Sequence, residues 1–206
     1  MKNKKYKAII FDNAGVLIDE DHKRWSKVIA DYYKLDQDFV YQNYSRSEAW
    51  PLYKHGKISE DEFWRMGNQL SGCDLNIKVL KNIVRKNRKV IKKTAQLLEC
   101  LSKKYKLGLL NNEGRQWDEY SRKKEEFYRY FDYFMSSYIA GVSKPEPGIY
   151  KKLIVLLEKD GINSRECLYI DDRQNNLDAG ARFGFDVLFY KNSDDFKDKI
   201  KIKGVL

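Results

Sequence analysis

The apolar residues of this chain follow two different patterns. Short continuous runs, of which Ala8–Phe11 is the first, are bounded by polar or turn residues. Runs of this kind are typical of strands buried on both faces of a parallel sheet. Five such strands are predicted, at residues 8–11, 106–112, 131–137, 167–170 and 187–190. Elsewhere the apolar residues recur at the spacing of an α-helix.

Residues 19–87 show helical periodicity and no strand signal. One helix begins after Ser59, because Glu62 follows three residues later and completes a capping box. The other helices of this block are predicted at residues 22–33, 37–44 and 75–86. The block is therefore predicted to be an all-helical insertion.

Helices and strands alternate after this block. The helices are predicted at residues 88–104, 116–130, 147–159 and 174–183. Such alternation is typical of an α/β fold with a doubly wound parallel sheet. We therefore predict one core made of residues 1–18 and 88–206, with residues 19–87 inserted as a helical cap over the strand ends.

Polar residues follow three of the predicted strands at the point where each strand ends. Asp12 follows the first strand, Asn111 and Asn112 end the second, and Asp171 and Asp172 follow the fourth. In open α/β sheets this edge is where ligands bind. Carboxylates from two strands would repel each other there without a cation, and Mg²⁺ prefers such oxygen ligands. The alternative for the Asp171–Asp172 pair is a turn and a helix cap.

The loop residue Lys144 precedes the fourth strand and would add positive charge at the same edge. A divalent ion and a lysine can hold the oxygens of a phosphoryl group while one carboxylate attacks phosphorus, which gives an aspartyl phosphate intermediate. Taken alone, a lysine is more often a solvated surface residue. The whole set nevertheless favours phosphoryl-transfer chemistry.

The composition excludes several classes of protein. The 206 residues carry a formal net charge of +10, but the basic residues are spread in short groups that favour solvated helix faces over a nucleic-acid site. No apolar run is long enough to span a membrane. The first strand begins so early that we expect no signal peptide. Three cysteines without a CxxC pair, Cys73, Cys100 and Cys167, indicate reduced thiols and a cytoplasmic location.

Four stretches of the sequence resemble the motifs of the haloacid dehalogenase-like (HAD) superfamily, in the right order and on the predicted strand ends or loops. They are Phe-Asp-Asn-Ala-Gly-Val-Leu at 11–17, Leu-Leu-Asn-Asn at 109–112, Lys-Pro-Glu-Pro-Gly-Ile-Tyr at 144–150, and Tyr-Ile-Asp-Asp-Arg-Gln-Asn-Asn at 169–176. The helical insertion resembles the C1 type of cap. The stretch at 56–63 is similar to the branch that contains sugar-phosphate phosphatases and the N-terminal domain of soluble epoxide hydrolase.

The resemblance implies a Rossmann-like core and a role for each matching residue. Asp12 would be the nucleophile and a Mg²⁺ ligand, and the backbone carbonyl of Ala14 would be a second ligand. Asp172 would bind the metal directly, while Asp171 would pair with Lys144 or with a metal-bound water.

The remaining motif residues would contact the phosphate or support the site. Lys144 would neutralise the phosphate and orient the carboxylates. Asn111 and Asn112 would face the phosphate, and Asn176 would support the loop that carries Asp171 and Asp172.

The sequence departs from the family pattern at two positions. Ala14 stands where a second aspartate usually protonates the leaving group and later activates water, a contribution of about 10²- to 10⁴-fold. A good leaving group, such as an anomeric phosphate, would make this loss tolerable. Asn111 stands where Ser or Thr usually contacts the phosphate, although an amide can still donate hydrogen bonds.

Three functions are compatible with these residues. The first is a Mg²⁺-dependent phosphatase that acts on a small phosphorylated metabolite as a monomer or weak dimer. The second is a catalytically impaired phosphate-binding protein. The third is a dehalogenase or a phosphonatase-like hydrolase, although the intact Asp171–Asp172 pair argues against metal-free chemistry.

Candidate substrate-reading residues lie in the predicted cap. They are Trp50, Tyr53 and His55, and the alternative for each of them is packing within the cap or against the core.

Overall fold

The computed structural model of the protein describes residues 5–206. Residues 1–4, which precede the first predicted strand, lie outside the described residues. The strands are β1 Ala8–Phe11, β2 Ile18–Asp19, β3 Lys89–Val90, β4 Lys106–Asn111, β5 Tyr133–Ser136, β6 Cys167–Asp171 and β7 Asp186–Phe189. Five of them form a parallel sheet in the order β5-β4-β1-β6-β7. The predicted doubly wound parallel sheet is confirmed.

The helices are α1 His22–Tyr33, α2 Gln37–Val40, α3 Ala49–Lys54, α4 Glu60–Ser71, α5 Ile77–Asn87, α6 Lys92–Ser102, α7 Arg115–Lys124, α8 Ser137–Ala140, α9 Pro147–Glu158, α10 Gln174–Arg182 and α11 Ser193–Ile202. A π-helical turn spans Tyr41–Ser45, and 3₁₀ turns span Glu126–Tyr130 and Ser164–Glu166. Within residues 5–206, none of the helices combines the length and the apolar content that crossing a bilayer requires.

Strand β1 lies at the centre of the sheet and is completely buried. Ile9 and Phe11 belong to the apolar cluster on one face of the sheet, whereas Ala8 and Ile10 belong to the cluster on the other. This two-sided burial explains why the strand is a continuous apolar run instead of an alternating one. The partners of β1 are β4 on one side and β6 on the other, so the strand order reverses at β1. In folds of this kind ligands bind at the carboxyl end of such a strand.

Helices α1 to α5 pack around an apolar cluster of their own, which includes Trp25, Phe63 and Trp64 and also takes in Trp117 from α7. The predicted capping box of α4 is confirmed, because Ser59 Oγ accepts from the Glu62 backbone N–H and the Glu62 carboxylate accepts from the Ser59 N–H at 2.7 Å. The division into a core and a cap with boundaries at 18/19 and 87/88 stays a prediction.

The structure differs from the prediction where the chain leaves and re-enters the sheet layer. Strands β2 and β3 pair antiparallel, with Ile18 opposite Val90, so the two ends of the helical block are joined by a short ribbon. Residues 88–91 were predicted as helix, but α6 begins only at Lys92. Two-residue strands carry no periodicity of their own, and their pairing depends on residues about seventy positions apart.

Further differences lie in the second half of the chain. The helix predicted at 116–130 ends as α7 at Lys124, and a 3₁₀ turn follows. The short helix α8 and the C-terminal helix α11 were not predicted. Pro147 begins α9 as expected, because proline is well suited to the first turn of a helix.

The sheet edge at β7 provides a pH-dependent contact that can be tested. Asp186 accepts hydrogen bonds from Lys5, Tyr6 and Lys203. Burial opposes its ionisation, but these donors outweigh it and lower the pKa of Asp186 to about 2. The ionised form therefore stabilises the fold above the unfolded-state pKa, near 3.8, and this contribution is lost as the pH falls from there towards 2.

We expect Asp186→Asn to lower the free energy of unfolding by on the order of 1 kcal/mol at pH 7, since solvent screens part of the interaction. The difference from the parent should shrink when urea denaturation is repeated at pH 2.5. Asp198→Asn, an exposed site near Lys201, serves as the control and should show no such change. A difference for Asp186→Asn that does not vary between the two pH values would contradict this assignment.

Candidate active site

Three carboxylates meet at the carboxyl ends of two neighbouring strands. Asp12 directly follows β1, Asp171 ends β6, and Asp172 comes next. Because Phe11 pairs with Ile170 in parallel register, the residues that follow them lie side by side. One carboxylate oxygen from each of the three residues lies within 4.8 Å of the others. Asp12 and Asp171 are buried, and Asp172 is partly buried.

The side chain of Lys144 inserts into this group and is 1% exposed. Its Nζ lies 2.7 Å from Asp12 Oδ1, 2.8 Å from Asp171 Oδ2 and 2.8 Å from the backbone oxygen of Leu110. These three acceptors match the three N–H groups of the ammonium. The structure thus brings together the residues that the sequence predicted at positions 12, 144, 171 and 172.

Asn112 holds the loop that carries Lys144. Its side-chain Oδ1 accepts from the Lys144 backbone N–H at 2.7 Å, and its Nδ2 donates to the Lys144 carbonyl at 2.9 Å. The side-chain amide of Asn112 therefore makes its hydrogen bonds to the backbone of Lys144. The residue also lines the cavity described below. This positioning role was not anticipated from the sequence.

Asn111 is completely buried and is directed differently from its neighbour. Its Nδ2 lies 3.4 Å from Glu113 Oε2 and 3.3 Å from Asp118 Oδ1, while its Oδ1 has no hydrogen-bond partner within the described part of the chain. These two carboxylates fix the orientation of the Asn111 amide, because a rotation by 180° would place its oxygen, an acceptor, next to carboxylate oxygens, which are also acceptors. The N–H donors that we expected to face a phosphate are thus occupied by Glu113 and Asp118.

The carboxylate of Asp171 is the most constrained of the three. It accepts hydrogen bonds from Lys144, from the Tyr169 hydroxyl, from the Arg173 backbone N–H and from Asn176 Nδ2 at 3.0 and 3.1 Å. Asn176 therefore supports this loop as the sequence suggested.

The electrostatic balance of the cluster is unfavourable without a further cation. Burial raises the pKa of Asp12 well above its ordinary value and Asp171 raises it further, although Lys144 acts in the opposite direction. Burial and Asp171 likewise raise the pKa of Asp172. For Asp171 the effect of burial is outweighed by Lys144 and the hydrogen bonds, so its pKa is lowered. Three carboxylates against one ammonium leave a net charge of −2.

A divalent cation with oxygen ligands fits this arrangement. Asp172 Oδ1 is buried and, within residues 5–206, accepts no hydrogen bond, which is costly for a carboxylate oxygen unless a cation is present. A charge of +2 would neutralise the cluster, and carboxylate oxygens are the ligands that Mg²⁺ prefers. Asp12 and Asp172 are the residues placed to supply them.

Gly15 is required for this geometry. Its φ is +84°, and a Cβ built on it would lie 2.2 Å from Asp172 Oδ2. Any larger residue would therefore displace the carboxylate of Asp172 as well as strain the backbone. The glycine of the first motif thus serves to admit Asp172.

A second buried ionic group lies beside the carboxylates. Arg88 Nη1 contacts Glu113 Oε1, and it lies 2.6 Å from Glu20 Oε2. Glu113 Oε2 accepts from Asn13 Nδ2 at 3.0 Å, and the Tyr128 hydroxyl donates to Asn13 Oδ1 at 2.8 Å. Sequence reasoning missed this group, because its members come from five separate segments and form no local pattern.

The site opens into a cavity of about 340 Å³, a size that suits a small molecule. Its lining residues come both from the strand ends and from the helical block, and they include Asp12, Ala14, Lys144, His22, Tyr41, Arg46 and Lys54. Of the candidate substrate readers, Trp50 lines this cavity. Tyr53 is instead completely buried against Phe63, with its hydroxyl accepting from the Trp117 backbone N–H.

His55 lies outside the cavity lining as well. Its Nε2 is 3.1 Å from Ser143 Oγ, in the loop just before Lys144. Tyr53 and His55 thus occupy packing and loop-contact positions, which were the alternatives considered for them. Tyr53 lies on the same side of α3 as Trp50, with ring centroids 6.1 Å apart, but it stacks on Phe63 in the interior of the helical block, and His55 follows the end of α3.

The structure places a buried lysine between carboxylates at the switch point of a parallel sheet, and comparison with known proteins shows which family has this fold. A profile of the haloacid dehalogenase-like hydrolases matches residues 6–184. This match covers most of the chain, and the protein therefore belongs to the haloacid dehalogenase-like hydrolase family.

Individual relatives are more distant. The chain is 28% identical to D-ribitol-5-phosphate phosphatase from Bacteroides thetaiotaomicron over an alignment of 208 positions, which covers 95% of this chain and 97% of that protein. It is 25% identical to flavin mononucleotide hydrolase 1 from Arabidopsis thaliana over 158 residues, or 76% of this chain and 62% of that protein.

Among solved structures, a HAD family enzyme from Bacteroides thetaiotaomicron in complex with magnesium and inorganic phosphate has a TM-score of 0.78. Its identity to this chain is 22%, and the match covers 94% of this chain and 98% of that one. This likeness shows that the two proteins share a fold.

The geometry around Gly15 predicts the behaviour of a single substitution. We expect Mg²⁺ to raise the melting temperature of the parent protein, since an ion that binds only the folded state stabilises it. Gly15→Ala should lose this response, because the new methyl group displaces Asp172. The measurement is the melting temperature with and without Mg²⁺.

Gly72→Ala is the matched control. Gly72 has a φ of +67° but open space around its Cβ position, so it suffers the same backbone strain without a steric clash. Gly72→Ala should lose about 1 kcal/mol of stability and Gly15→Ala more, because of its added clash with Asp172, but only Gly15→Ala should lose the Mg²⁺ response. A full Mg²⁺ response in Gly15→Ala would show that Asp172 does not depend on this glycine.

Proposed function

We propose that this protein is a Mg²⁺-dependent phosphatase that hydrolyses a small phosphorylated metabolite through an aspartyl phosphate at Asp12. The observation that carries the proposal is the buried contact of Lys144 with Asp12 and Asp171 beside an uncompensated Asp172 carboxylate. The similarity to one protein that is named as a phosphatase and to another that is named as a flavin mononucleotide hydrolase supports the same reaction.

Asp12 is the proposed nucleophile. Lys144 Nζ and the Asn13 backbone N–H both contact Oδ1, at 2.7 and 2.6 Å, so Oδ2 is the oxygen that we assign to the attack. Attack forms an Oδ2–phosphorus bond and breaks the bond from phosphorus to the ester oxygen, which leaves as the alcohol after gaining a proton. Water then cleaves the acyl phosphate, which restores the carboxylate and releases inorganic phosphate.

The other residues of the cluster hold charge and orientation. Lys144 fixes the position of Asp12 and offers positive charge close to the phosphoryl oxygens. Asp12, Asp172 and the backbone carbonyl of Ala14 are the proposed ligands of Mg²⁺, with Asp171 held behind them by Lys144. When bound, the ion would neutralise the negative charge of the phosphate and of the carboxylates. Residues 19–87 are proposed to act as a cap that excludes water from the cavity.

Ala14 lines the cavity and has no proton to give, so the leaving group must depart without the usual carboxylic acid. This observation favours a second candidate, a phosphate-binding protein of the same fold with little turnover. It also favours substrates with good leaving groups if the protein is an enzyme. The buried Asp171–Asp172 cluster does not support metal-free dehalogenase chemistry.

Replacing the proposed nucleophile tests the reaction. Asp12→Asn should lower the release of inorganic phosphate from a panel of phosphate esters in Mg²⁺ by about 10³-fold or more, because an amide cannot attack phosphorus effectively. Chelation of the metal should have a similar effect on the parent. Asp198→Asn, at an exposed position, should retain full activity. Equal phosphate release by the parent and Asp12→Asn would rule out this mechanism, and Mg²⁺ binding without any release would favour the binding protein.

Restoring an acid at position 14 tests the cost of its absence. Ala14→Asp should raise kcat for an alkyl phosphate by about 10²- to 10⁴-fold, since the new carboxyl can protonate the departing alcohol. The gain should be much smaller for p-nitrophenyl phosphate, whose leaving group needs no proton. Ala14→Asn is similar in size but cannot transfer a proton, and it should show no gain. An equal gain for both esters would contradict the acid role.

A further inference from the structure

Four basic side chains line the cavity beyond the catalytic group. They are Lys23, Arg46, Lys54 and Arg173. Across the described residues, none of these four lies within 4.0 Å of a carboxylate, whereas the basic residues deeper in the site, Lys144 and Arg88, each contact two. Their positive charge is thus available to a ligand.

A single aromatic ring orients two of these cations. Lys23 Nζ and the guanidinium carbon of Arg46 each lie 5.8 Å from the centre of the Tyr41 ring. The backbone N–H of Arg46 donates to the Tyr41 carbonyl at 3.0 Å, which is the i to i+5 bond of a π-helical turn. Such turns are rare and frequently occur at functional sites. The turn brings Arg46 back over Tyr41 on the wall of the cavity.

The other two cations, Lys54 and Arg173, line the same cavity. Lys54 ends α3 and is half-buried, and burial lowers its pKa; of its charged neighbours, Glu146 raises the pKa and Arg173 lowers it to a smaller extent. The pKa of His22 is lowered to about 4, first by burial and then by Arg88, and Arg173 and Arg46 lower it further. All four cations thus line one cavity, with Lys23, Arg46 and Arg173 at its exposed side and Lys54 half-buried.

The acidic residues of the cavity do not cancel this charge. Asp12 is paired with Lys144, and Glu20 and Glu113 are paired with Arg88. Asp21 remains, and it caps α1 by accepting from the Lys23 backbone N–H at 2.8 Å. Glu20 and Glu113 share one arginine, which leaves one negative charge, so four cations against that charge and Asp21 leave a net charge of +2 around this part of the cavity.

We infer that these residues form a second anion subsite, so that the substrate carries a phosphate or carboxylate group in addition to the phosphoryl group that is hydrolysed. This inference rests on the proposed function, because it concerns the same cavity. A volume of about 340 Å³ accommodates a small metabolite with an anion at each end. Lys54 and Arg46 are the residues that recognise the second anion most directly, and Tyr41 positions Arg46.

Matched substrate pairs provide the test. Glycerol 3-phosphate and 3-phosphoglycerate differ by a carboxylate, and fructose 6-phosphate and fructose 1,6-bisphosphate differ by a phosphate. In each pair we measure kcat/KM in Mg²⁺. The member with two anionic groups should be preferred by about tenfold or more, the gain expected from one charged hydrogen bond. A preference in only one pair identifies the second anion as a carboxylate or as a phosphate.

The variants Lys54→Met and Arg46→Met should each reduce this preference by about tenfold. Lys27→Met is the control. Lys27 lies one turn further along α1 than Lys23, is paired with Asp31 and faces solvent, so the preference should be retained. If neither pair shows a preference, or if Lys54→Met and Arg46→Met lower kcat/KM for both members equally, the subsite is refuted.

A binding measurement separates this inference from the proposed function. Asp12→Asn is titrated calorimetrically with fructose 1,6-bisphosphate and with fructose 6-phosphate in Mg²⁺. Tighter binding of the bisphosphate that is lost in Asp12→Asn/Lys54→Met supports the subsite, even if the parent protein releases no phosphate. Phosphate release by the parent with equal binding of the two ligands would support the phosphatase and overturn the second subsite.

Discussion

The buried ammonium of Lys144 is the contact on which the site depends. Its three acceptors come from the ends of three adjacent strands: Asp12 after β1, Asp171 in β6 and the Leu110 carbonyl in β4. Removal of one partner from a buried ion pair typically costs about 3–5 kcal/mol, because an uncompensated charge remains. Lys144 therefore fixes the relative position of these strand ends as well as their charge.

The same cluster shows how function conflicts with stability. Asp12, Asp171 and Asp172 would not be gathered in one buried place for packing alone, since burial and mutual repulsion oppose their ionisation. The fold tolerates them through Lys144, through the hydrogen bonds to Asp171, and through a geometry that leaves room for a cation. A cluster of carboxylates that is buried despite this unfavourable electrostatic free energy is typical of a functional site.

A second ionic contact links the site to the helical block. Glu20 follows β2, where the chain leaves the sheet layer, Arg88 precedes β3, where it returns, and Glu113 follows β4. The pairing of Arg88 with both glutamates therefore ties the two connections of the block to the strand that ends beside Lys144. The position of the helices that line the cavity is thus coupled to the carboxylates beneath them.

The sequence by itself determined the class of fold and which polar side chains stand at the strand ends. The buried strands and the position of Asp12, Lys144 and Asp171 could be predicted because each depends on a local pattern of apolar runs, turn residues and motif spacing. Only the tertiary structure decided which side chains face the cavity. Trp50 lines it and Tyr53 does not, Asn112 binds the Lys144 backbone, and Arg46 approaches Tyr41 through a π-helical turn. These contacts join residues from separate segments, so no stretch of sequence contains the information that positions them.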